Sequence, residues 1–185
     1  PQGFVNYTRE QKIQAEPQLF QDLEDVQLER GTEIDVVFSG GGLRGYYCCG
    51  ASVLLDTLVD RHDLKVRRLA GASAGAWCAV FVACGIHPLD WADTYYESSS
   101  RRESMLLDAY RAFIPEMMMK TLPADAWQRC SGRVHISITR VSLTGGLENV
   151  IVSQFSSNAD LIAACLASST IPLLSTSSLV SRFRG

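Results

Sequence analysis

Residues 66–84 read Val66-Arg67-Arg68-Leu69-Ala70, then Gly71-Ala72-Ser73-Ala74-Gly75, then Ala76-Trp77-Cys78-Ala79-Val80-Phe81-Val82-Ala83-Cys84. The first run predicts a short strand and the stretch Ala74–Cys84 predicts a helix. The five residues between match G-x-S-x-G in the strand–turn–helix context of a nucleophile elbow. Such a turn is too tight for side chains on its flanks, which is why Gly71 and Gly75 stand there. Small Ala72 and Ala74 crowd it least, and Ser73 is left at the tip. The helix that follows directs its N-terminal dipole and free N–H groups at any oxyanion forming beside Ser73.

Upstream, Ile34-Asp35-Val36-Val37-Phe38 is a short apolar run, read as a buried central strand. It ends in Ser39-Gly40-Gly41-Gly42-Leu43-Arg44-Gly45, and a helical spacing follows from Tyr46 to Leu58. Strand–helix–strand–helix in this rhythm predicts a parallel sheet with right-handed crossovers. The glycine cluster fits G-x-G-x-x-G, but the acid expected about 20 residues on to hold a ribose is missing, because the second strand ends in Ala70-Gly71-Ala72-Ser73. A phosphate-binding P-loop fails as well, since Tyr46 stands where Lys is required. Two glycine motifs at the C-terminal ends of neighbouring parallel strands mark the usual place for a site in an open α/β sheet. There the glycine loop can offer backbone N–H groups across from Ser73, and the N–H of Ala74 adds another donor.

The composition agrees with a globular α/β protein of one domain. The chain has 185 residues, of which 46% are hydrophobic and 20% charged, so neither disorder nor a fibrous repeat fits. Seventeen Lys and Arg against 20 Asp and Glu give a net charge of −3, which removes the basic footprint of a nucleic-acid binder. No apolar run approaches the roughly 18 residues needed to span a bilayer. Residues 1–32 form a polar lead-in with a weak helical pattern through Leu19, Leu23, Val26 and Leu28, unlike a signal peptide. The six cysteines form no C-x-x-C pair and are read as reduced thiols of a cytoplasmic protein. The chain opens on Pro1 and closes on Ser181-Arg182-Phe183-Arg184-Gly185, which reads as a segment cut from something longer.

Downstream, residues 88–130 read as helical pieces punctuated by Pro88, Pro115 and Pro123. Within them Glu103–Leu122 has an apolar face through Met105, Leu106, Tyr110, Phe113, Ile114, Met117 and Met118. A helix packed on the sheet accounts for this face; a lid or lipid-docking surface is the alternative. Period-two alternation through Val134, Ile136, Ile138 and Val141, a turn at Leu143–Leu147, and Val150-Ile151-Val152 predict a hairpin. Ser157 or Asn158 caps a further helix through Ala167, which Pro172 prevents from continuing.

Taken together, these motifs resemble the patatin-like phospholipase family, with its G-G-G-x-R-G oxyanion loop and G-x-S-x-G elbow. Leu122–Ala126, Ser131–Arg140, Glu148–Phe155, Asp160-Leu161-Ile162 and Ser168-Ser169-Thr170-Ile171-Pro172 look like its adiponutrin and adipose triglyceride lipase branch. The likeness spans residues 33–185. It implies a three-layer α/β/α sandwich with a mainly parallel central sheet, incomplete here at its C-terminus. It implies a Ser–Asp dyad with Ser73 as nucleophile, and an oxyanion and substrate loop of Gly40, Gly41, Gly42, Arg44 and Gly45, joined by Ala74. Its substrates are acyl esters of glycerolipids, met at a lipid droplet or membrane surface by a peripheral cytoplasmic protein, with an activator protein as a further partner. No metal or organic cofactor is implied. The family's Asp lies in a D-G-G or D-G-A motif, and this chain contains no Asp-Gly pair, so the general base is expected outside it.

Other roles follow from the residues themselves. Arg44 either steadies the loop or meets a phosphate or carboxylate, and a surface Arg packing its stem fits equally. His87 and His135 are the alternative bases, with His62 in a charged loop; a lone His is more often structural. Asp35, inside the first strand, reads as a sheet-edge or loop-contacting acid and not as a base, and Arg67 and Arg68, flanking a strand, as loop charges. The competing functions are a lipid acyltransferase and a catalytically inactive lipid-surface or partner-binding module.

Overall fold

A computed structural model of the chain describes residues 27–42, 45–87, 108–142, 146–171 and 181–184. The pattern through Leu19, Leu23 and Val26, Arg44, the stretch 88–107 with Met105 and Leu106, the side chains of Tyr110 and Phe113, the turn at 143–145 and the tail from Pro172 lie outside the described residues.

Four strands form one sheet in the order β1-β2-β3-β4. They are β1 (Glu33–Phe38), β2 (Lys65–Ala72), β3 (Val134–Val141) and β4 (Leu147–Val152). The first three are parallel and β4 returns antiparallel to β3, the expected hairpin. Helix α1 (Gly45–His62) joins β1 to β2, and α2 (Ala74–Cys84) follows β2 over the span predicted. Helices α3 (Asp108–Thr121), α4 (Ala126–Cys130) and α5 (Asn158–Ser168) complete the described elements. No helix among the described residues is long and apolar enough to cross a membrane.

Successive right-handed crossovers in one direction put α1 and α2 on the same face of the sheet. Helix α2 is the centre of that face. Ala76, Ala79, Val80 and Phe81 are sealed from solvent against Leu69, Val134 and Ile136. Its C-terminus closes on Gly85, whose left-handed φ of 70° lets its own N–H reach the Val82 carbonyl and the Ile86 N–H reach that of Phe81. Arg129 and Arg133 add guanidinium donors to the Cys84 and Ala83 carbonyls. All six cysteines are thiols, and Cys84 meets Cys130 at 3.9 Å in the core.

Three readings change. The run Ile34–Phe38 is a strand, but β1 stands at the edge of the described sheet and Val37 is 77% exposed. Leu147, 75% exposed, and Ile151 are likewise open to solvent at the other edge strand. Arg67 and Arg68 lie inside β2, not in a loop. A register shift at Ile34/Asp35 pairs Asp35 with Arg68 and lets both guanidinium groups reach the Asp35 carboxylate, at 3.0 Å and 2.6 Å. Pro115 sits inside α3 instead of punctuating it. Buried Ile114, Met117 and Met118 hold that helix, which packs on α5, so the described part of its apolar face is core.

Candidate functional site: the nucleophile elbow

Strand β2 ends at Ala72 and α2 begins at Ala74, so a single residue, Ser73, makes the turn. Its backbone takes φ 54°, ψ −124°, which an L residue adopts at a cost of about 1–3 kcal/mol and only when its surroundings impose it. Those surroundings are visible. A Cβ on Gly71 would strike the Gly75 carbonyl, and one on Gly75 would strike the Phe38 carbonyl and lie 2.7 Å from that of Ser39. The elbow is thus pressed on the end of β1 as closely as backbone allows, and only glycine fits at either flank.

The same contact brings the glycine loop to the nucleophile. A Cβ on Gly40 would lie 3.3 Å from the Ser73 Cβ and 3.3 Å from the Ala72 carbonyl oxygen. Gly41 and Gly42 follow on the exposed side of the loop, Gly42 with a left-handed φ of 51°. Gly45 is the first residue of α1, and Cys48 in the same helix donates its thiol to the Ser39 carbonyl at 3.4 Å. The structure therefore gathers Gly40, Gly71, Ser73, Ala74 and Gly75 as the sequence suggested. Ser73 occupies the N-cap position of α2 but its hydroxyl makes no capping bond, so the Oγ is left for other chemistry.

Two further residues reach the elbow that sequence reasoning gave no role. The Ser73 N–H donates to Ser168 Oγ at 2.8 Å, and the Trp77 indole N–H donates to Ser169 Oγ at 3.1 Å. Both serines sit where α5 ends, over 90 residues away in sequence, and a Ser-Ser pair at a helix end carries no signal of such a contact.

The histidines considered as bases are not at the elbow. His135 pairs in register with Ala70, three residues before Ser73, a backbone distance of roughly 10 Å. His87 follows the far end of α2, about 16 Å along an 11-residue helix. His62 closes α1, about 27 Å along 18 residues from its start at the glycine loop. Two carboxylates are committed to ion pairs elsewhere. Asp35 is held well below the usual carboxylate range by Arg67 and Arg68. Asp160, in the first turn of α5, is lowered to about 2 by Arg184.

The patatin-like phospholipase family profile matches residues 36–182. The chain belongs to this family. Human omega-hydroxyceramide transacylase is 31% identical over 77% of this chain and 27% of its own length. Mouse patatin-like phospholipase domain-containing protein 2 is 35% identical over 78% of this chain and 30% of its own. The human 1-acylglycerol-3-phosphate O-acyltransferase PNPLA3 is 35% identical over 80% of this chain and 31% of its own. The chain thus spans somewhat under a third of the length of these curated relatives. Among solved structures, the ExoU–SpcU complex of Pseudomonas aeruginosa covers 77% of this chain and 37% of its own at 18% identity, with a TM-score of 0.43. Gly40 against Ser73 is where the glycine loop and the elbow meet.

Proposed function

We propose that this chain carries the nucleophile half of a lipid acyl hydrolase. Ser73 Oγ attacks the carbonyl of a glycerolipid ester and forms an acyl-enzyme, which an acceptor then releases. The oxyanion is held by N–H groups of Gly41, Gly42 and Ala74, each worth about 3 kcal/mol in the transition state. Arg44 belongs to the same loop and meets the substrate or steadies the glycines. The base is the Asp of a Ser–Asp dyad, placed outside residues 1–185, as the absence of any Asp-Gly pair and of a His at the elbow suggests. The protein works at the surface of a lipid droplet or membrane as a peripheral cytoplasmic protein, with an activator protein as a further partner.

The observation that carries this reading is the strained Ser73 backbone, held between two glycines that admit no side chain and with Gly40 against it, which is the shape of a nucleophile elbow. The relatives named as a transacylase and an acyltransferase favour a second acceptor, a lipid alcohol in place of water. The test exposes the intact protein, and its Ser73→Ala variant, to a fluorophosphonate probe and to a triacylglycerol emulsion with and without a monoacylglycerol. Ser73-dependent labelling with release of fatty acid supports hydrolysis; acyl transfer to the added alcohol supports the transferase form. A folded protein that does not label sinks both and leaves a lipid-surface or partner-binding module.

A further inference from the structure

We infer that Ser168 is the positioning residue of the elbow: its hydroxyl replaces the rung of the sheet that Ser73 gives up when the chain turns. The inference rests on the reading of Ser73 as nucleophile. In the parallel ladder between β2 and β3, Leu69 pairs with Val134 and its N–H donates to the Arg133 carbonyl at 2.9 Å. Each second N–H along β2 repeats this step on β3. Carried two rungs further, the pattern assigns the Ser73 N–H to the Ser137 carbonyl. The ladder stops one residue short, at Ala72 opposite Ser137, because Ser73 swings to positive φ.

Ser168 Oγ stands between the two groups so separated. It accepts from the Ser73 N–H at 2.8 Å and donates to the Ser137 carbonyl at 2.6 Å. The direction of the relay is fixed, since an N–H only donates and a carbonyl only accepts. Without it, a donor and an acceptor at the sheet end both lose their partner, and the turn loses the bond that opposes its return to extended backbone. The relay also commits the Ser73 N–H, so the oxyanion donors are those of Ala74 and the glycine loop. Ser168 does not touch substrate; it acts by aiming Ser73.

Two readouts on the intact protein test this: hydrogen exchange at the Ser73 amide, and the rate of fluorophosphonate labelling with kcat and KM for a soluble ester. Ser168→Ala should speed exchange at Ser73 at least tenfold with Val80 in α2 unchanged, and lower kcat and labelling about tenfold or more with KM within twofold. Ser168→Thr, which keeps the hydroxyl, should recover most of both. If Ser168→Ala does not fold, Ser168→Cys keeps the shape with a weak donor and should show the same losses in smaller measure. Wild-type exchange and wild-type kcat in the folded variants overturn the inference, as does a loss of melting temperature with kcat per folded molecule unchanged. A wild-type protein that does not label overturns the nucleophile reading instead, and exchange at Ser73 then decides the relay by itself.

Discussion

The elbow and the glycine loop are both glycine-rich, yet they need glycine for different reasons. At Gly71 and Gly75 a side chain has nowhere to go, because backbone of β1 and α2 already fills the space. At Gly42 nothing lies within 4 Å, and it is the φ of 51° that favours glycine. One region is built by close packing and the other by backbone freedom. The buried one can hold a strained serine in place. The exposed one faces solvent at Gly41 and Gly42.

Alanine separates the two cases. Gly71→Ala and Gly75→Ala should each lower unfolding free energy by about 3 kcal/mol or more, since the atoms struck are carbonyls of neighbouring elements that cannot move as side chains do. Denaturant titration, or simple loss of soluble protein, reads this effect. A change below about 1 kcal/mol at either position would mean that the elbow is not closed on β1 as described. Next in size is Ser169→Ala. It strands the buried Trp77 indole N–H and should destabilise by about 2 kcal/mol, with Trp77→Phe in the same background restoring part of the loss.

Gly42→Ala should cost only about 1 kcal/mol, the penalty of left-handed backbone for a residue with a Cβ, and Gly42→Asn less, because Asn adopts that region more readily. Thermal melts of the three proteins give the order. A Gly42→Ala loss as large as that at Gly71 would erase the distinction between packing and backbone.

How much of this was legible beforehand follows from the kind of interaction involved. The elbow, α2 and the hairpin were readable because local signals write them: tight-turn glycines, an apolar helix, period-two alternation. Ser157 or Asn158 was the expected cap of α5, and the Ser157 hydroxyl accepts the Asp160 N–H. The exposure of Val37 was not readable, since an apolar run looks the same at an edge as at the centre of a sheet. Arg67 and Arg68 look like loop charges in the sequence because a bulge that turns adjacent side chains to one carboxylate leaves no periodic mark. Ser168 was out of reach for the same reason as any bond over some 95 residues: its partner is chosen by topology, and a serine at a helix end is usually only a serine at a helix end.

The smallest effect concerns the other end of α5, the helix whose C-terminal turn grips the elbow. There Arg184 donates Nε to Asp160 Oδ1 at 2.9 Å and Nη2 to Oδ2 at 2.6 Å, and the Asp160 side chain is only 15% exposed. Its pKa falls from 3.8 to about 2, chiefly through the Arg184 bonds. A depressed folded pKa stabilises the fold above the unfolded value and loses that contribution as pH falls through the folded one. The pair should therefore add up to about 1 kcal/mol near neutrality, an amount that fades between about pH 4 and pH 2. Arg184→Gln should show this as a gap in denaturation midpoint from wild type that is full at pH 7 and shrinks toward pH 2. A gap independent of pH would assign the role of Arg184 to contacts that do not titrate, its bond to the Gln154 carbonyl at 2.6 Å and its packing over the Phe183 ring, and not to the ion pair with Asp160.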